Sequence, residues 1–379
     1  MPCRAQQLLD LGQSVWLDYI HRRELRSGHF AAQVRDHGVA GVTSNPTIFQ
    51  QAIGQGADYD DAIRERLARP TPLAGLPLYE SLAVEDVQTA CDLLREVFER
   101  SGGLDGRVSI EVDPRLAHDT AGTVTEARRL RERVGRPNVM IKVPATAEGL
   151  PAVRTLIGEG VCVNVTLIFS LARYEQVMEA YLAGLEDRAA RGEPLAPVVS
   201  VASFFVSRVD GKVDAAIARR LEELPVGAPE RAELLELPGL AAVANARLAY
   251  ARFREVFGAP RFTALAARGA RVQRPLWAST STKNPAYPDT LYVDELIGPD
   301  TVNTIPPKTL AAYNHHGVLD PRLLRGGAEA RALFRRLPEL GVPLDRLIGE
   351  LEEEGVAAFV KSFDSLLATL EAKRARMAG

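Results

Sequence analysis

Short apolar runs rich in β-branched residues alternate along the chain with longer stretches in which apolar side chains recur every three or four residues. The short runs predict buried strands, and the longer stretches predict amphipathic helices. The predicted strands are Ser14–Ile20, Gly41–Asn45, Val108–Val112, Asn138–Pro144, Cys162–Phe169, Pro197–Phe204, Arg274–Thr280 and Thr301–Ile305. Strands that alternate with helices are joined by crossovers and therefore run parallel. Eight such strands predict an α/β fold built as one (β/α)8 TIM barrel.

Three segments are longer than a minimal barrel requires. Helical insertions are predicted at about 46–107 and 205–273, and a C-terminal helical extension at about 306–379. In the extension, an apolar face is formed at 3- and 4-residue steps by Val356, Phe359, Val360, Phe363, Leu366, Leu367 and Leu370. We expect this helix to pack over or near the barrel mouth, where it would exclude water. Because no repeat or linker divides the chain, residues 1–379 are predicted to form a single domain.

The composition excludes several classes of function. The 46 Lys and Arg residues against 49 Asp and Glu give a net charge of −3, which argues against nucleic-acid binding. No apolar run approaches the roughly 18 residues of a membrane span, and the N-terminus lacks the apolar core of a signal peptide. Three scattered cysteines predict no disulfide framework and a cytoplasmic location. Metal-binding and nucleotide-binding motifs are absent, so we expect no metal and no cofactor.

Lysine is rare in this chain. Of the 46 Lys and Arg residues, the lysines are only Lys142, Lys212, Lys283, Lys308, Lys361 and Lys373. Arginine replaces lysine at little cost on a solvated surface, but it cannot do so where the cation must lose its proton. Each lysine that remains is therefore a candidate for chemistry.

Polar side chains collect at the C-terminal ends of the predicted strands, where barrel enzymes build their active sites. The candidates are Asp18, Thr43, Asn45, Glu111, Lys142, Asn164, Thr166, Ser203, Arg208 and Ser279. Burial disfavours the ammonium form of a lysine, and a neutral amine can attack a carbonyl to form a Schiff base. The imine then stabilises the negative charge that develops when an adjacent carbon–carbon bond breaks. Glu111 and Asp18 are the nearby carboxylates for the proton transfers, and Thr166 could hold a water.

Two of these strand ends resemble signatures of the transaldolase family. Gly41–Phe49, GVTSNPTIF, is similar to the N-terminal signature, and Val139–Ala152, VMIKVPATAEGLPA, to the signature around the Schiff-base lysine. Further likeness covers Val108–Asp113, Val163–Ser170 and Ser200–Asp210. The length and the segment Trp277–Pro285 resemble a longer bacterial subgroup, in some members fused to a glucose-6-phosphate isomerase. We expect this chain to end too early to hold that second enzyme.

The resemblance implies a cofactor-independent enzyme of the pentose phosphate pathway. It would move a dihydroxyacetone unit from sedoheptulose 7-phosphate to glyceraldehyde 3-phosphate, giving erythrose 4-phosphate and fructose 6-phosphate. It implies that Lys142 forms the Schiff base, that Asp18 is the acid/base at the C4 hydroxyl, and that Glu111 and Thr166 activate the water. It implies that Asn45, Asn164 and Ser203 bind hydroxyls of the donor and that Arg208 binds the phosphate. Ser279 and Lys283 are our further candidates for the phosphate, and Thr43 is a further candidate for substrate binding. Its partners would be sugar phosphates, and we expect it to bind neither nucleic acid nor a membrane. We expect the chain to be a monomer or a homodimer.

Other interpretations of these residues stay open. Lys142 could be a structural cation paired with a barrel carboxylate, and Asp18 could cap the following helix. Asn45 could only shape the turn before a proline, and Lys283 could be a solvated loop cation. The alternative functions are another Schiff-base aldolase or lyase that acts on sugar phosphates, and a catalytically silent barrel that binds them.

Overall fold

Eight parallel strands form a closed barrel in the computed structural model, which describes residues 3–54 and 56–378. The strands are β1 Gln13–Asp18, β2 Val39–Thr43, β3 Arg107–Glu111, β4 Val139–Pro144, β5 Val163–Ile168, β6 Ser200–Phe205, β7 Arg274–Ala278 and β8 Thr301–Ile305. Each strand pairs with the next along the chain, and β8 closes the barrel on β1. Every predicted strand is present, and the predicted fold class is confirmed.

Helices surround this barrel on the outside, so the strands are covered on both faces and read as nearly continuous apolar runs. In the described part of the chain the helices are α1 Arg4–Gln7, α2 Arg22–Arg26, α3 His29–His37, α4 Pro46–Gly54, α5 Asp60–Leu67, α6 Gly75–Leu93, α7 Arg95–Arg100, α8 Thr120–Val134, α9 Gly149–Gly158, α10 Leu171–Ala190, α11 Ser207–Glu223, α12 Glu230–Leu235, α13 Ala241–Gly258, α14 Pro260–Ala266, α15 Leu291–Glu295, α16 Pro307–His316, α17 Gly327–Glu339 and α18 Leu344–Ala378. Helices α4 to α7 fill the interval between β2 and β3, and α11 to α14 fill that between β6 and β7. Across residues 3–54 and 56–378, no helix has the length and apolar character needed to cross a membrane.

The boundaries of α8 illustrate how local sequence sets these elements. Asp119 precedes the helix, and its carboxylate accepts a hydrogen bond from the Gly122 backbone at 2.9 Å, which satisfies one of the free N–H groups of the first turn. Gly135 ends the helix with φ of +58°, a left-handed conformation that glycine adopts without strain. Between these ends, the side chains that face the barrel are apolar and buried. They include Val124, Ala127, Leu130 and Val134.

The last helix, α18, packs over the barrel mouth. It is longer than the apolar stretch that predicts it, and it contacts α4, α5, α6 and α11. The ring centroid of Phe359 lies 5.5 Å from Nζ of Lys142, which projects from β4. Thr47 at the start of α4 donates a hydrogen bond to Ser362 at 2.9 Å. The predicted position of this helix at the mouth is therefore confirmed.

The opposite end of the barrel is closed by a buried polar network around Asp105. Nη2 of Arg274 on β7 lies 2.9 Å from Oδ1 of Asp105. Ser14 and Trp16 on β1 also donate to this carboxylate, at 2.7 and 3.2 Å. Arg274 in turn donates to the Ser14 hydroxyl at 2.8 Å. The network therefore joins β1, near the start of the chain, to β7, which follows it by more than 250 residues. Active sites in this fold lie at the other end of the barrel, at the C-terminal ends of the strands. We therefore interpret the network around Asp105 as an interaction that stabilises the fold.

We expect Asp105→Ala to lower the free energy of unfolding by about 3–5 kcal/mol, because it leaves a buried guanidinium without its counter-ion. Urea unfolding followed by circular dichroism measures the change. Asp61→Ala is the matched control. Asp61 pairs with Arg64 at 2.7 Å, but its side chain is 97% exposed and such pairs contribute little. An equal loss in both variants would contradict the role of the network.

Candidate active site

Lys142 and Glu111 form an ion pair inside the barrel. They stand opposite each other in the register of β4 and β3, and Nζ of Lys142 lies 3.3 Å from Oε2 of Glu111. Their side chains are only 5% and 3% exposed. The amine also donates to the Ser44 carbonyl at 3.3 Å. The pairing with a barrel carboxylate therefore exists, and it is compatible with catalysis because such a carboxylate can exchange a proton with the amine.

Burial shifts both carboxylates of the site toward their neutral forms. It raises the pKa of Glu111 to about 7, although the neighbouring Lys142 lowers it. It also raises the pKa of Asp18, against the opposing effects of Lys142 and of a hydrogen bond from Thr43. At a pKa of about 7, Glu111 can both donate and accept protons near neutral pH.

Asp18 is held by a row of hydroxyl groups from neighbouring strands. Thr43 on β2 donates to Oδ1 of Asp18 at 2.8 Å, and its hydroxyl lies 2.6 Å from that of Thr304 on β8. The next helix, α2, is capped instead by His21, whose ring nitrogen accepts from the Arg23 backbone at 3.2 Å. The interpretation of Asp18 as a helix cap is therefore wrong. Thr304 is absent from the candidates predicted from sequence, although the strand-end rule applies equally to β8.

Asn164 and Ser203 form a second buried row. Oδ1 of Asn164 accepts from the Ser203 hydroxyl at 2.6 Å, and Nδ2 donates to the Ser109 hydroxyl at 3.0 Å. Asn164 stands opposite Lys142 in the register of β5 and β4, which places this row beside the amine. Thr166 lies two residues further along β5, and its buried hydroxyl has no hydrogen-bond partner in the described residues. Ser109, like Thr304, is a member of the site that the sequence candidates do not include.

Asn45 lies two residues beyond the end of β2, at the start of α4. Its Oδ1 accepts from the Ile48 backbone at 2.9 Å, so the predicted role in shaping the turn is present. The Nδ2 group has no partner within residues 3–54 and 56–378 and stays available to another ligand. The side chain can therefore serve both roles that the sequence leaves open.

Arg208 is a half-buried cation at the start of α11. Its guanidinium lies 5.4 Å from the ring centroid of Phe205, and in the described part of the chain it makes neither an ion pair nor a hydrogen bond. Burial lowers the pKa of this guanidinium, and the charge of Glu354 on α18 opposes that effect. A desolvated cation without a partner is a suitable ligand for a phosphate group.

Ser279 and Lys283 follow β7 at the rim of the barrel. Ser279 has φ of +58°, which is uncommon for a residue other than glycine, and its hydroxyl lies 2.8 Å from that of Ser207, next to Arg208. Lys283 is exposed, and its Nζ donates to the Ser281 hydroxyl at 2.7 Å. Its charge nevertheless lowers the pKa of Asp18, so Lys283 bears electrostatically on the site. The structure thus brings Ser279 close to Arg208 and leaves Lys283 in solvent.

Comparison with known proteins identifies the family. The family model described as transaldolase/fructose-6-phosphate aldolase matches residues 15–370. Transaldolase 1 of Streptomyces coelicolor is 52% identical over 369 residues, which cover 96% of this chain and 93% of that protein. The transaldolase of Saccharopolyspora erythraea is 50% identical over 366 residues, with 96% of each covered. Transaldolase 2 of Nostoc sp. is 46% identical over 376 residues, which cover 97% and 96%.

These matches run from the first strand to the last helix, and they include the strand ends that carry Asp18, Glu111 and Lys142. They agree with the resemblance drawn from the two sequence signatures. The chain belongs to the transaldolase/fructose-6-phosphate aldolase family.

Proposed function

We propose that this chain is a transaldolase in which Lys142 carries a dihydroxyacetone unit as a Schiff base from one sugar phosphate to another. The observation that carries the proposal is the buried Lys142–Glu111 pair, 3.3 Å apart at the mouth of a closed barrel. The curated relatives described above are named transaldolases and cover nearly the whole chain. A cytoplasmic location and a monomeric or homodimeric state remain predictions.

The first step joins the donor to the enzyme. The neutral amine of Lys142 attacks the C2 carbonyl of the ketose phosphate, and a carbon–nitrogen bond forms. The resulting carbinolamine loses its hydroxyl as water when Glu111 gives it a proton. Both Glu111 oxygens and the Thr166 hydroxyl are buried. Within residues 3–54 and 56–378 they make no hydrogen bond, and the ion pair with Lys142 is the contact that Glu111 has. Because buried polar atoms ordinarily bind protein or water, this arrangement suits them to hold and activate that water.

The second step breaks the carbon–carbon bond. Asp18 accepts the proton of the C4 hydroxyl, the C3–C4 bond breaks, and its electron pair passes into the iminium to give an enamine on Lys142. The aldose phosphate leaves, and an acceptor aldose phosphate reacts by the reverse sequence. A carboxylate whose pKa is raised by burial is a stronger base for this proton than a solvated one. Thr43 holds Asp18 in place for both directions.

Binding of the substrate is assigned to the remaining polar groups of the mouth. Asn164 and Ser203 lie beside the amine and would bind the hydroxyls of the dihydroxyacetone unit, with Asn45 at the edge. Arg208 would bind the phosphate, because this half-buried cation has no partner among the described residues. Lys283 would attract the dianionic substrate from the rim, where its charge is solvated.

The family also contains aldolases that release the ketone instead of transferring it. We favour transfer because the relatives matched here are named transaldolases and because an aromatic side chain covers the amine, which limits access of water to the intermediate. The rival activities are distinguished by the acceptor experiment below.

Borohydride reduction in the presence of fructose 6-phosphate should attach the sugar carbon chain to the peptide that contains Lys142, since only an imine is reduced to a stable amine. Peptide mass mapping locates the adduct. Lys142→Arg should abolish both adduct and turnover because guanidinium stays protonated. Lys283→Arg is the matched control and should retain part of the activity. An adduct on the Lys283 peptide would overturn the assignment of the nucleophile.

Transfer should depend on the acceptor. With fructose 6-phosphate as donor, we expect rapid formation of glyceraldehyde 3-phosphate and sedoheptulose 7-phosphate only when erythrose 4-phosphate is present, because the enamine otherwise stays bound to Lys142. Coupled assay of both products measures this. Equally fast cleavage without acceptor would favour a lyase. The absence of both turnover and a borohydride adduct would favour a catalytically silent barrel.

The rate should fall as the pH drops through about 7, because burial raises the pKa of Glu111 to about 7. Once protonated, Glu111 can no longer accept the proton that the Lys142 amine must lose before it attacks the carbonyl. Glu111→Gln cannot be protonated in this way, so its kcat/KM should be lower overall but should lack this acidic limb. Steady-state kinetics between pH 5 and 9, roughly the range that brackets such a group, measures the profile. The same limb in the variant would refute the role of Glu111.

A further inference from the structure

One side chain of the C-terminal helix lies directly over the reacting amine. Phe359 is buried, and its ring centroid is 5.5 Å from Nζ of Lys142. We propose that Phe359 seals the nitrogen so that the dihydroxyacetone unit is passed to an acceptor instead of being released, and that Gly355 is the positioning residue that brings this ring into place. The inference rests on the proposed transaldolase activity.

The helix is held over the mouth from several sides. Phe363, one turn after Phe359, packs edge-on against Tyr79 of α6 with ring centroids 5.5 Å apart. Arg173 of α10 pairs with Glu352 at 2.8 Å. These contacts come from helices that follow different strands, β2 and β5, and the pair formed by Thr47 and Ser362 adds a third attachment. Phe359 is therefore carried by an element fixed to the barrel wall.

Gly355 sets how closely this helix approaches the barrel. A Cβ atom at this position would lie 3.1 Å from Cδ2 of Leu167 and 3.3 Å from the ring of Phe169, closer than most such contacts. Leu167 has φ of +61°, although leucine rarely adopts a left-handed backbone. This strained residue directly follows Thr166 on β5. A side chain at Gly355 therefore needs its neighbours to shift by a few tenths of an ångström. Because Leu167 and Phe169 are themselves buried in the barrel wall, we expect the helix to give instead, which moves Phe359, one turn later, away from Lys142.

The chemistry of the intermediate explains why a cover matters. Release of the ketone needs a proton on the enamine carbon, which regenerates the iminium, and then water at C2. The new carbon–oxygen bond forms, the carbon–nitrogen bond breaks, and the electron pair returns to the amine of Lys142. An apolar ring against this nitrogen keeps additional water from C2, and its face also favours the positive charge of the iminium. The acceptor aldehyde, by contrast, reacts at the enamine carbon C3, next to C2, and this bond-forming step needs no water.

The test is the partition of the intermediate between release and transfer. With fructose 6-phosphate as donor, free dihydroxyacetone formed per sedoheptulose 7-phosphate formed is measured at a fixed concentration of erythrose 4-phosphate. We expect Phe359→Ala to raise this ratio by roughly ten-fold, because water then reaches the iminium carbon. Phe359→Leu keeps apolar bulk and should stay near the wild-type ratio. Gly355→Ala should shift the ratio in the same direction as Phe359→Ala, because the helix moves outward.

Leu370→Ala is the control, since it removes buried apolar atoms from the same helix about three turns away from Phe359. It should lower thermal stability, as Phe359→Ala does, and leave the ratio unchanged. Equal ratios in wild type, Phe359→Ala and Leu370→Ala would overturn the inference while leaving the transferase activity intact. An equal rise in both variants would also overturn it, because the cover would then be the helix as a whole. A wild-type protein that transfers no ketone at all would instead refute the proposed function.

Discussion

The ion pair between Lys142 and Glu111 is the interaction on which the rest of the site depends. Taking an ammonium and a carboxylate out of water costs several kcal/mol for each ion, and their attraction offsets this only when they are held close together. Adjacent parallel strands provide that closeness, because β3 and β4 place the two residues opposite each other with 3.3 Å between their charged atoms. The pair can then move one proton between its members without changing the net charge of the pocket. Such an exchange is what formation and hydrolysis of an imine require.

The two ends of the barrel carry different kinds of polar network. At the base, the Asp105 carboxylate accepts hydrogen bonds from three surrounding residues. At the mouth, the Glu111 oxygens and the Thr166 hydroxyl have no hydrogen-bond partner in the described residues, apart from the ion pair of Glu111 with Lys142. A buried carboxylate that accepts several hydrogen bonds stabilises a fold, whereas a buried carboxylate and hydroxyl left open beside a reactive amine are suited to bind water and exchange protons. The base therefore supplies the rigidity that the mouth uses to hold reactive groups in place.

The strands and the central chemistry could be predicted from the sequence because both follow from local pattern. Alternation of strand and helix predicts the barrel, and the rule that strand ends carry the site selects Asp18, Glu111 and Lys142. The contributions of Ser109 and Thr304 depend on which hydroxyl faces which neighbour across the barrel, and that requires the register of strands distant in sequence. Phe359 reaches the amine only through packing of a helix more than 200 residues away from it. No spacing within the chain could indicate that contact.

The scarcity of lysine gains a second meaning from the helix over the mouth. Lys212 pairs with Glu350 of α18 at 2.7 Å, and Lys373 of the same helix donates to the Gly56 carbonyl at 2.7 Å while pairing with Asp60 at 3.2 Å. The Lys373 side chain is buried, and a compact ammonium fits there where the broad, planar guanidinium of arginine would need more room. In a chain that otherwise uses arginine, lysine thus occurs both where a proton must be lost and where the cover is fastened. The chemistry of Lys142 and the attachment of the helix above it are separate demands, and the same rare residue type meets each for a different physical reason.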